Sequence, residues 1–115
     1  MRAEALKGHL DGLLLAVLET GPAHGYAVIE ALRAASGGTF DLPTGTVYPA
    51  LRRLEEDDLV TSAWQEAGGE RRRRVYTLTA KGRKALAAQR ESWQTFSGAV
   101  SAVLTGGGSW ARATT

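Results

Sequence analysis

The chain has 115 residues, of which 43% are hydrophobic and 23% charged, so it fits one globular domain and is not a mostly disordered chain. It contains no cysteine, which excludes disulfides and thiolate metal sites and makes the reducing cytoplasm the expected location. The longest aliphatic block, Leu13 to Leu18, is far shorter than the roughly 20 residues that span a bilayer, and the segment before it is a poor signal peptide.

Charge is distributed unevenly, although the net charge is only +2. Residues 1–70 carry 5 basic and 11 acidic side chains, whereas residues 71–90 carry 8 basic side chains and no acid. A segment this basic favours a polyanionic partner such as nucleic acid. The alternative is a solvated basic surface.

Two amphipathic helices are predicted first. From Leu10, apolar residues recur at i, i+3, i+4, i+7 and i+8, and Thr20-Gly21-Pro22 ends this helix. The second helix is predicted over Ala23 to Ala35, and Gly37-Gly38 ends it.

A third helix follows, with Thr44 or Thr46 as its expected cap and Pro49 near its start, where a missing N–H is tolerated best. Its predicted apolar face consists of Val47, Ala50, Leu51 and Leu54. The acidic run of residues 55–58 closes the helix and is expected to be frayed and solvated. A divalent-metal site is the alternative, although the run has no histidine at helical spacing.

A β-hairpin and a long helix complete the prediction. Leu59–Trp64 and Arg72–Leu78 are predicted strands joined through a Gly-Gly tip, with Trp64 and Tyr76 as cross-strand partners. The last helix is predicted from Ala80 to about Leu104.

This order of elements predicts a winged helix-turn-helix, a mainly α fold with a small β-hairpin in the α+β class. We expect a DNA-binding domain over residues 1–79, a dimerisation helix over residues 80–105 and a flexible tail over residues 106–115. The hairpin is the wing, and its second strand begins the basic segment, so topology and charge both indicate double-stranded DNA as the partner.

The third helix supplies the first candidate contacts. Since the N-terminal turn of such a helix lies closest to the bases of the major groove, Thr44, Thr46 and Tyr48 are expected near the DNA. Arg52 or Arg53 is expected on phosphate. The alternative is that Tyr48 packs against the wing and that the arginines are solvated.

The wing supplies the second set. Arg72 and Arg74 share one face of the strand and are expected to contact the phosphate backbone or the minor groove. Such contacts provide affinity and position, not sequence choice.

An apolar stripe on the last helix predicts an interface. Its members follow a heptad-like spacing, and they are Leu86, Trp93, Phe96, Val100, Val103 and Leu104. No later element can cover the stripe, so a second copy of the chain is the expected partner. A two-fold dimer would place two recognition helices about one DNA turn apart, and the operator should be palindromic.

Trp93 has two interpretations: packing in the dimer, or a stacking surface for a planar ligand between the two copies. Catalysis is not expected, because His9 and His24 have neither metal nor triad spacing and are expected to be surface or capping residues. We therefore predict no enzyme activity, no cofactor and no metal.

The chain resembles the PadR family of bacterial winged-helix regulators over roughly residues 10–104. The matching segments are His24-Gly25-Tyr26, Gly45 to Leu51, Arg53-Leu54-Glu55, Arg72 to Thr79, Lys81-Gly82 and Glu91-Ser92-Trp93. The short final helix is similar to the compact branch of that family.

The resemblance implies a cytoplasmic, homodimeric transcriptional repressor with Tyr26, Thr46, Tyr48 and the wing arginines near DNA. It also implies that a flat aromatic effector stacks on Trp93. By alignment with drug-binding members, the other residues around such a ligand are Asp11, Gly12, Leu15, Phe96 and Ser97.

Three departures from the family pattern bear on these expectations. Asp58 stands where a glycine usually follows the third helix, and it would have to adopt a left-handed conformation. Val75 replaces a wing tyrosine, and Ala16 and Ser97 replace the polar or acidic groups of drug-binding members. Two alternatives to a repressor also stay open: a winged-helix protein-interaction module without DNA binding, and a ligand-carrying or incidentally catalytic pocket around Trp93.

Overall fold

A computed structural model describes residues 6, 8–66, 68–69 and 71–106. These residues form the predicted winged helix-turn-helix, with a small antiparallel sheet of strand order β1-β3-β2. The elements in chain order are α1 (Leu10–Glu19), β1 (Ala23–His24), α2 (Gly25–Ala35), α3 (Thr44–Glu56), β2 (Val60–Glu66), β3 (Arg72–Leu78) and α4 (Ala80–Leu104). Of the predicted tail, only Gly106 lies within the described residues.

Strand β1 is an element that the sequence did not predict. Ala23 and His24 were expected to open the second helix, but they pair with Tyr76 and Val75 of β3. His24 then caps α2, because its Nδ1 accepts the Ala27 N–H at 3.2 Å. The second helix therefore begins two residues later than predicted, and the capping role expected for this histidine is confirmed.

The hairpin has a different register from the predicted one. Trp64 lies opposite Arg74, and Tyr76 lies opposite Ser62, so the predicted Trp64–Tyr76 pair is wrong. The register differs by two residues, which leaves both aromatic side chains on the same face of the sheet. The first strand of the hairpin runs over residues 60–66, one residue later at its start and two later at its end than predicted.

The two ends of α3 are stabilised differently. Pro43 occupies the N-cap position without a side-chain hydrogen bond, so neither predicted threonine caps the helix. At the other end Asp58 has a φ of +61°, as its position required. The Asp58 N–H donates to the Glu55 carbonyl at 3.0 Å, and the Leu59 N–H donates to the Leu54 carbonyl at 2.9 Å. An aspartate thus closes a Schellman turn that usually contains glycine.

The hydrophobic core lies between the helices and one face of the sheet. All four residues of the predicted α3 face are buried, which confirms that prediction. They pack with side chains of α1, α2, β2, β3 and α4, of which the buried members are Leu14, Leu15, Leu18, Val28, Ile29, Leu32, Val60, Tyr76, Leu78 and Leu86.

Helix α4 begins tightly packed. The Thr79 hydroxyl accepts the Gly82 N–H at 2.9 Å and donates toward the carbonyl oxygens of Asp58 and Leu59. Leu86 is only 2% exposed within this core, so its predicted place in a dimer interface is wrong. Within the described part of the chain, no helix has the length and hydropathy that a membrane span requires.

Candidate nucleic-acid interface

A groove between α2, α3 and the wing is strongly basic. Its volume is about 1020 Å³, and five arginines and a single carboxylate contribute to its walls. We call it the basic groove, and its lining residues are His24, Gly25, Tyr26, Tyr48, Arg52, Glu55, Trp64, Arg71, Arg72, Arg73, Arg74 and Tyr76. An excess of guanidinium groups in a concave site favours a polyanionic ligand.

Tyr48 reaches the groove because Gly25 makes room for it. A Cβ atom on Gly25 would lie 2.1 Å from Cε1 of the Tyr48 ring, so the ring rests directly against the first turn of α2. Tyr48 remains exposed, and Tyr26 is exposed as well. The sequence prediction missed this role of Gly25, and a glycine at the start of a helix was the only signal for it.

The other predicted residues of α3 separate into two groups. Arg52 lines the groove, as expected for a residue of the DNA-facing surface. Thr44 is exposed and Thr46 half-buried at the N-terminal end of the helix, and neither lines the groove.

Arg53 points away from the groove and contacts α1. Its Nη2 donates to a carboxylate oxygen of Asp11, and both side chains are about half exposed. The structure therefore places Arg53 in an ion pair between helices, so of the two arginines expected on phosphate Arg52 is the one that lines the groove. The same pair occupies Asp11, which the family resemblance implied would face a ligand.

Arg74 ties the wing to the C-terminal turn of α3. Its Nε donates to Ser62 Oγ at 2.8 Å, and its Nη2 lies 3.6 Å from Glu55 Oε2. Ser62 in turn donates to the same Glu55 oxygen. This network fixes the strand pair against the helix and places a carboxylate beside one wing arginine.

Trp64 contacts two of the wing arginines. The guanidinium carbons of Arg72 and Arg74 each lie 5.3 Å from the centre of its ring, within cation–π range. The prediction that these two arginines share one face of the strand is confirmed. Trp64 itself is 56% exposed and lines the groove, a position that the predicted register had not given it.

Arg73 lies on the opposite face and meets the helix cap. Its Nη1 is 3.1 Å from Nε2 of His24, whose Nδ1 is the acceptor for the Ala27 N–H. A neutral imidazole has only one acceptor nitrogen, so the ring cannot accept from both donors at once. Arg73 is therefore held more loosely than Arg74.

Tyr76 forms part of the groove floor. Burial raises the pKa of its phenol above the ordinary value, and the nearby Arg74 guanidinium partly opposes that shift. The phenol stays neutral at physiological pH, so it adds no negative charge to the basic groove. Among the described residues, no group of three or more carboxylates or histidines is arranged to hold a metal ion, and this includes the acidic run of residues 55–58.

The far end of α4 presents a second exposed surface. The ring centres of Phe96 and Trp93 lie 6.1 Å apart, and those of His9 and Trp93 lie 5.3 Å apart in a T-shaped arrangement. We call the exposed apolar side chains of this segment the distal stripe, and they are Trp93, Phe96, Val100, Val103 and Leu104. Every predicted interface residue except Leu86 belongs to it.

The residues implied for an effector site are not all on this surface. Leu15 is 2% exposed in the core, and Gly12 is buried so closely that a Cβ atom there would lie 2.5 Å from Gln89 Cγ. Ser97 is half-buried beside the stripe. Of the implied set, Trp93, Phe96 and Ser97 lie along the accessible part of α4. Gly12 and Leu15 are buried inside the subunit, so the expectation that they contact a ligand is wrong.

Comparison with known proteins agrees with this architecture. Residues 14–88 match the model of a family described as the transcriptional regulator PadR-like family. A PadR family transcriptional regulator from Eggerthella lenta is 32% identical, with 88% of this chain and 86% of that chain covered and a TM-score of 0.75. A transcriptional regulator from Clostridium thermocellum is 25% identical, with 87% and 94% covered and a TM-score of 0.78.

A third solved structure is that of Bacillus subtilis PadR in complex with operator DNA. It is 24% identical, with a TM-score of 0.65, and the match covers 70% of this chain but only 45% of that one. At this identity the likeness concerns the fold. The match to the family model, which covers well over half of the sequence, goes further: the chain belongs to the PadR-like family of transcriptional regulators.

Proposed function

We propose that the chain is a transcriptional repressor that binds double-stranded DNA through α3 and the wing. The observation that carries the proposal is the basic groove, where five arginines face one carboxylate. The Bacillus subtilis relative, solved on operator DNA, has the same fold and supports this assignment. DNA binding also agrees with the family, because a transcriptional regulator can act by occupying the promoter of a gene.

In this proposal α3 enters the major groove of the DNA and the wing follows the adjacent backbone. Thr44, Thr46 and Tyr48 lie at the end of α3 that approaches the base edges. Tyr26 on α2 adds a contact from the neighbouring helix. Arg52 and Arg72 bind phosphates, which sets affinity and register without reading sequence.

The distal stripe supports a homodimer. Five large apolar side chains on one helix are exposed within a single subunit, and water contact with such a surface is unfavourable. A second copy covers them with an identical stripe, which makes the assembly two-fold symmetric. Two recognition helices related by this symmetry then favour a palindromic site in the promoter of the regulated gene.

A planar aromatic effector is the finer part of the proposal. Trp93 is half-exposed and lies beside Phe96, so two copies would bring two such aromatic pairs together. A flat ligand stacked between these aromatic pairs would alter the distance between the two recognition helices and so release the DNA. Ser97 directly follows Phe96 and is a polar side chain available to such a ligand. We place the protein in the cytoplasm, where its DNA target lies.

The test of DNA binding is a titration of the full chain against its own upstream promoter duplex over a series of salt concentrations. Log K should fall linearly with log salt, and Arg72→Ala should reduce the slope by about 1. Arg33→Ala is the matched control, because Arg33 pairs with Glu30 on α2 and does not line the groove. If the wild-type chain does not bind the duplex, the result would instead support the alternative function, a winged-helix protein-interaction module without DNA binding.

The test of the dimer is sedimentation velocity on Phe96→Asp. A carboxylate in the middle of a covered apolar stripe is costly to desolvate, so the variant should sediment as a monomer at concentrations where the wild type is a dimer. Lys84→Asp is the matched control, since Lys84 is an exposed residue of the same helix outside the stripe. An unchanged sedimentation coefficient for Phe96→Asp would remove the stripe from the assembly.

A further inference from the structure

Trp64 is exposed in a way that the hydrophobic core does not explain. It lies on β2 directly opposite Arg74, and more than half of its side chain contacts solvent. An indole on a strand normally gains stability by burial, which this one forgoes. Two of its neighbours in the groove are cations, because the guanidinium groups of Arg72 and Arg74 lie 5.3 Å from its ring centre.

The two arginines depend on this ring to different extents. Arg74 is also bonded to Ser62 and lies near Glu55, so the network with α3 fixes it independently. Arg72 forms no ion pair with a carboxylate among the described residues. Within the described part of the chain, the contact with Trp64 is therefore the interaction that holds the Arg72 guanidinium.

We propose that Trp64 is a positioning residue of the DNA-binding surface, whose ring holds Arg72 beside Arg74 before the phosphates bind. Immobilising a long side chain on binding lowers affinity, and an arginine that is already held avoids most of that cost. The ring adds no charge, so it changes affinity without changing the number of phosphates contacted. This inference deepens the proposed function and rests on it.

The experiment compares Trp64→Leu with Trp64→Phe in the full chain, on a short duplex of mixed sequence over the same salt series. Leucine keeps apolar bulk but has no aromatic face, whereas phenylalanine keeps a face. Trp64→Leu should weaken binding by roughly three- to tenfold, with the slope of log K against log salt unchanged. Trp64→Phe should recover most of the loss. Arg72→Ala should differ from both by reducing the slope.

A second measurement follows the arginines in the free protein. The indole ring current shields protons above its face, so the Arg72 and Arg74 Nε–H resonances should move downfield in Trp64→Leu. Far-ultraviolet circular dichroism and the melting temperature confirm that each variant is folded. The inference is overturned if these resonances do not move, if Trp64→Leu binds the duplex as tightly as the wild type, or if Trp64→Phe is as weak as Trp64→Leu.

Failure of this inference is distinct from failure of the proposed function. A wild type that shows no salt-dependent binding refutes both. A wild type that binds with a steep slope while Trp64→Leu binds equally well refutes the role of Trp64 alone.

Discussion

One apolar series, Leu86, Trp93 and Val100 at seven-residue spacing, runs through both halves of α4, but the two halves have opposite surroundings. In the proximal half, residues 80–90, Gly82 lies against the Leu59 carbonyl and Leu86 is sealed in the core. In the distal half, residues 91–104, Val103 is 69% and Leu104 78% exposed. One continuous helix thus completes the winged-helix domain at its start and presents an uncovered surface at its end.

The change occurs where α1 crosses α4. Gly12 packs on Gln89, Glu19 pairs with Arg90, and His9 contacts Trp93. Past this crossing, no element in the described part of the chain covers the apolar side of the helix. The lesson is that a heptad pattern identifies an apolar face but does not say whether the same chain or another one covers it.

The largest expected effect distinguishes the two halves by stability. Leu86→Ala should lower the free energy of unfolding by about 2–5 kcal/mol, because it removes a fully buried side chain and leaves a cavity. That loss should not depend on protein concentration. Val103→Ala should lower stability only through association, so its effect should shrink as the protein is diluted below the dissociation constant of the dimer. Urea denaturation at two protein concentrations measures both, and a concentration-dependent loss for Leu86→Ala would contradict the division of the helix.

A second pair of variants uses the two glycines of the same helix. Gly82→Ala should cost about 1–3 kcal/mol, because the new Cβ atom would lie 2.1 Å from the Leu59 carbonyl oxygen and 2.6 Å from Leu78 Cδ1. A backbone oxygen cannot move aside as a flexible side chain can. Gly98→Ala is the matched control, since no atom lies within 4 Å of its Cβ position.

In Gly98→Ala, alanine should raise stability by up to about 1 kcal/mol through helix propensity alone. Thermal unfolding followed by circular dichroism should therefore shift in opposite directions for the two variants. Equal shifts would show that the proximal half is not packed as tightly as the distance to Leu59 implies.

The sequence predicted most of the fold because periodic burial carries most of the information. The spacing of Val47, Ala50, Leu51 and Leu54 identified the buried face of α3 correctly. Strand β1 was missed because two residues are too few to show any period, and its existence depends on a partner strand some 50 residues later in the chain. The hairpin register was wrong because the tip sets it, and Gly-Gly alone does not fix the length of the loop.

The candidate site was predicted by charge but not by contact. The basic wing was evident in the sequence, yet the pairing of Arg53 with Asp11 spans 42 positions and leaves no local pattern. For the same reason the sequence did not predict that Arg74 would be held by Glu55. For Trp64 the sequence predicted only a structural role as a cross-strand partner of Tyr76. Its contact with the arginines was missed because it depends on the observed register, in which Trp64 lies opposite Arg74. Contacts between residues that are far apart in the chain therefore could not be predicted from this one sequence.

The smallest expected effect locates the boundary between the two halves. Arg90 donates two hydrogen bonds to Glu19, at 3.0 and 2.8 Å, and these lower the pKa of that carboxyl below its ordinary value. Because the pKa is lower in the folded state, the pair stabilises the fold above the unfolded pKa and loses that contribution as pH falls through the folded value.

Glu19→Gln should accordingly lower the melting temperature slightly at neutral pH, and the difference from the wild type should vanish as the pH falls through the lowered pKa of Glu19 in the folded state. The effect is small because both side chains are exposed, and added salt should reduce it further. Glu91→Gln is the matched control, since Glu91 follows Arg90 directly but forms no ion pair among the described residues. If Glu91→Gln showed the same pH-dependent difference, the effect would not come from the Glu19–Arg90 pair, and this pair would not stabilise the contact between α1 and α4.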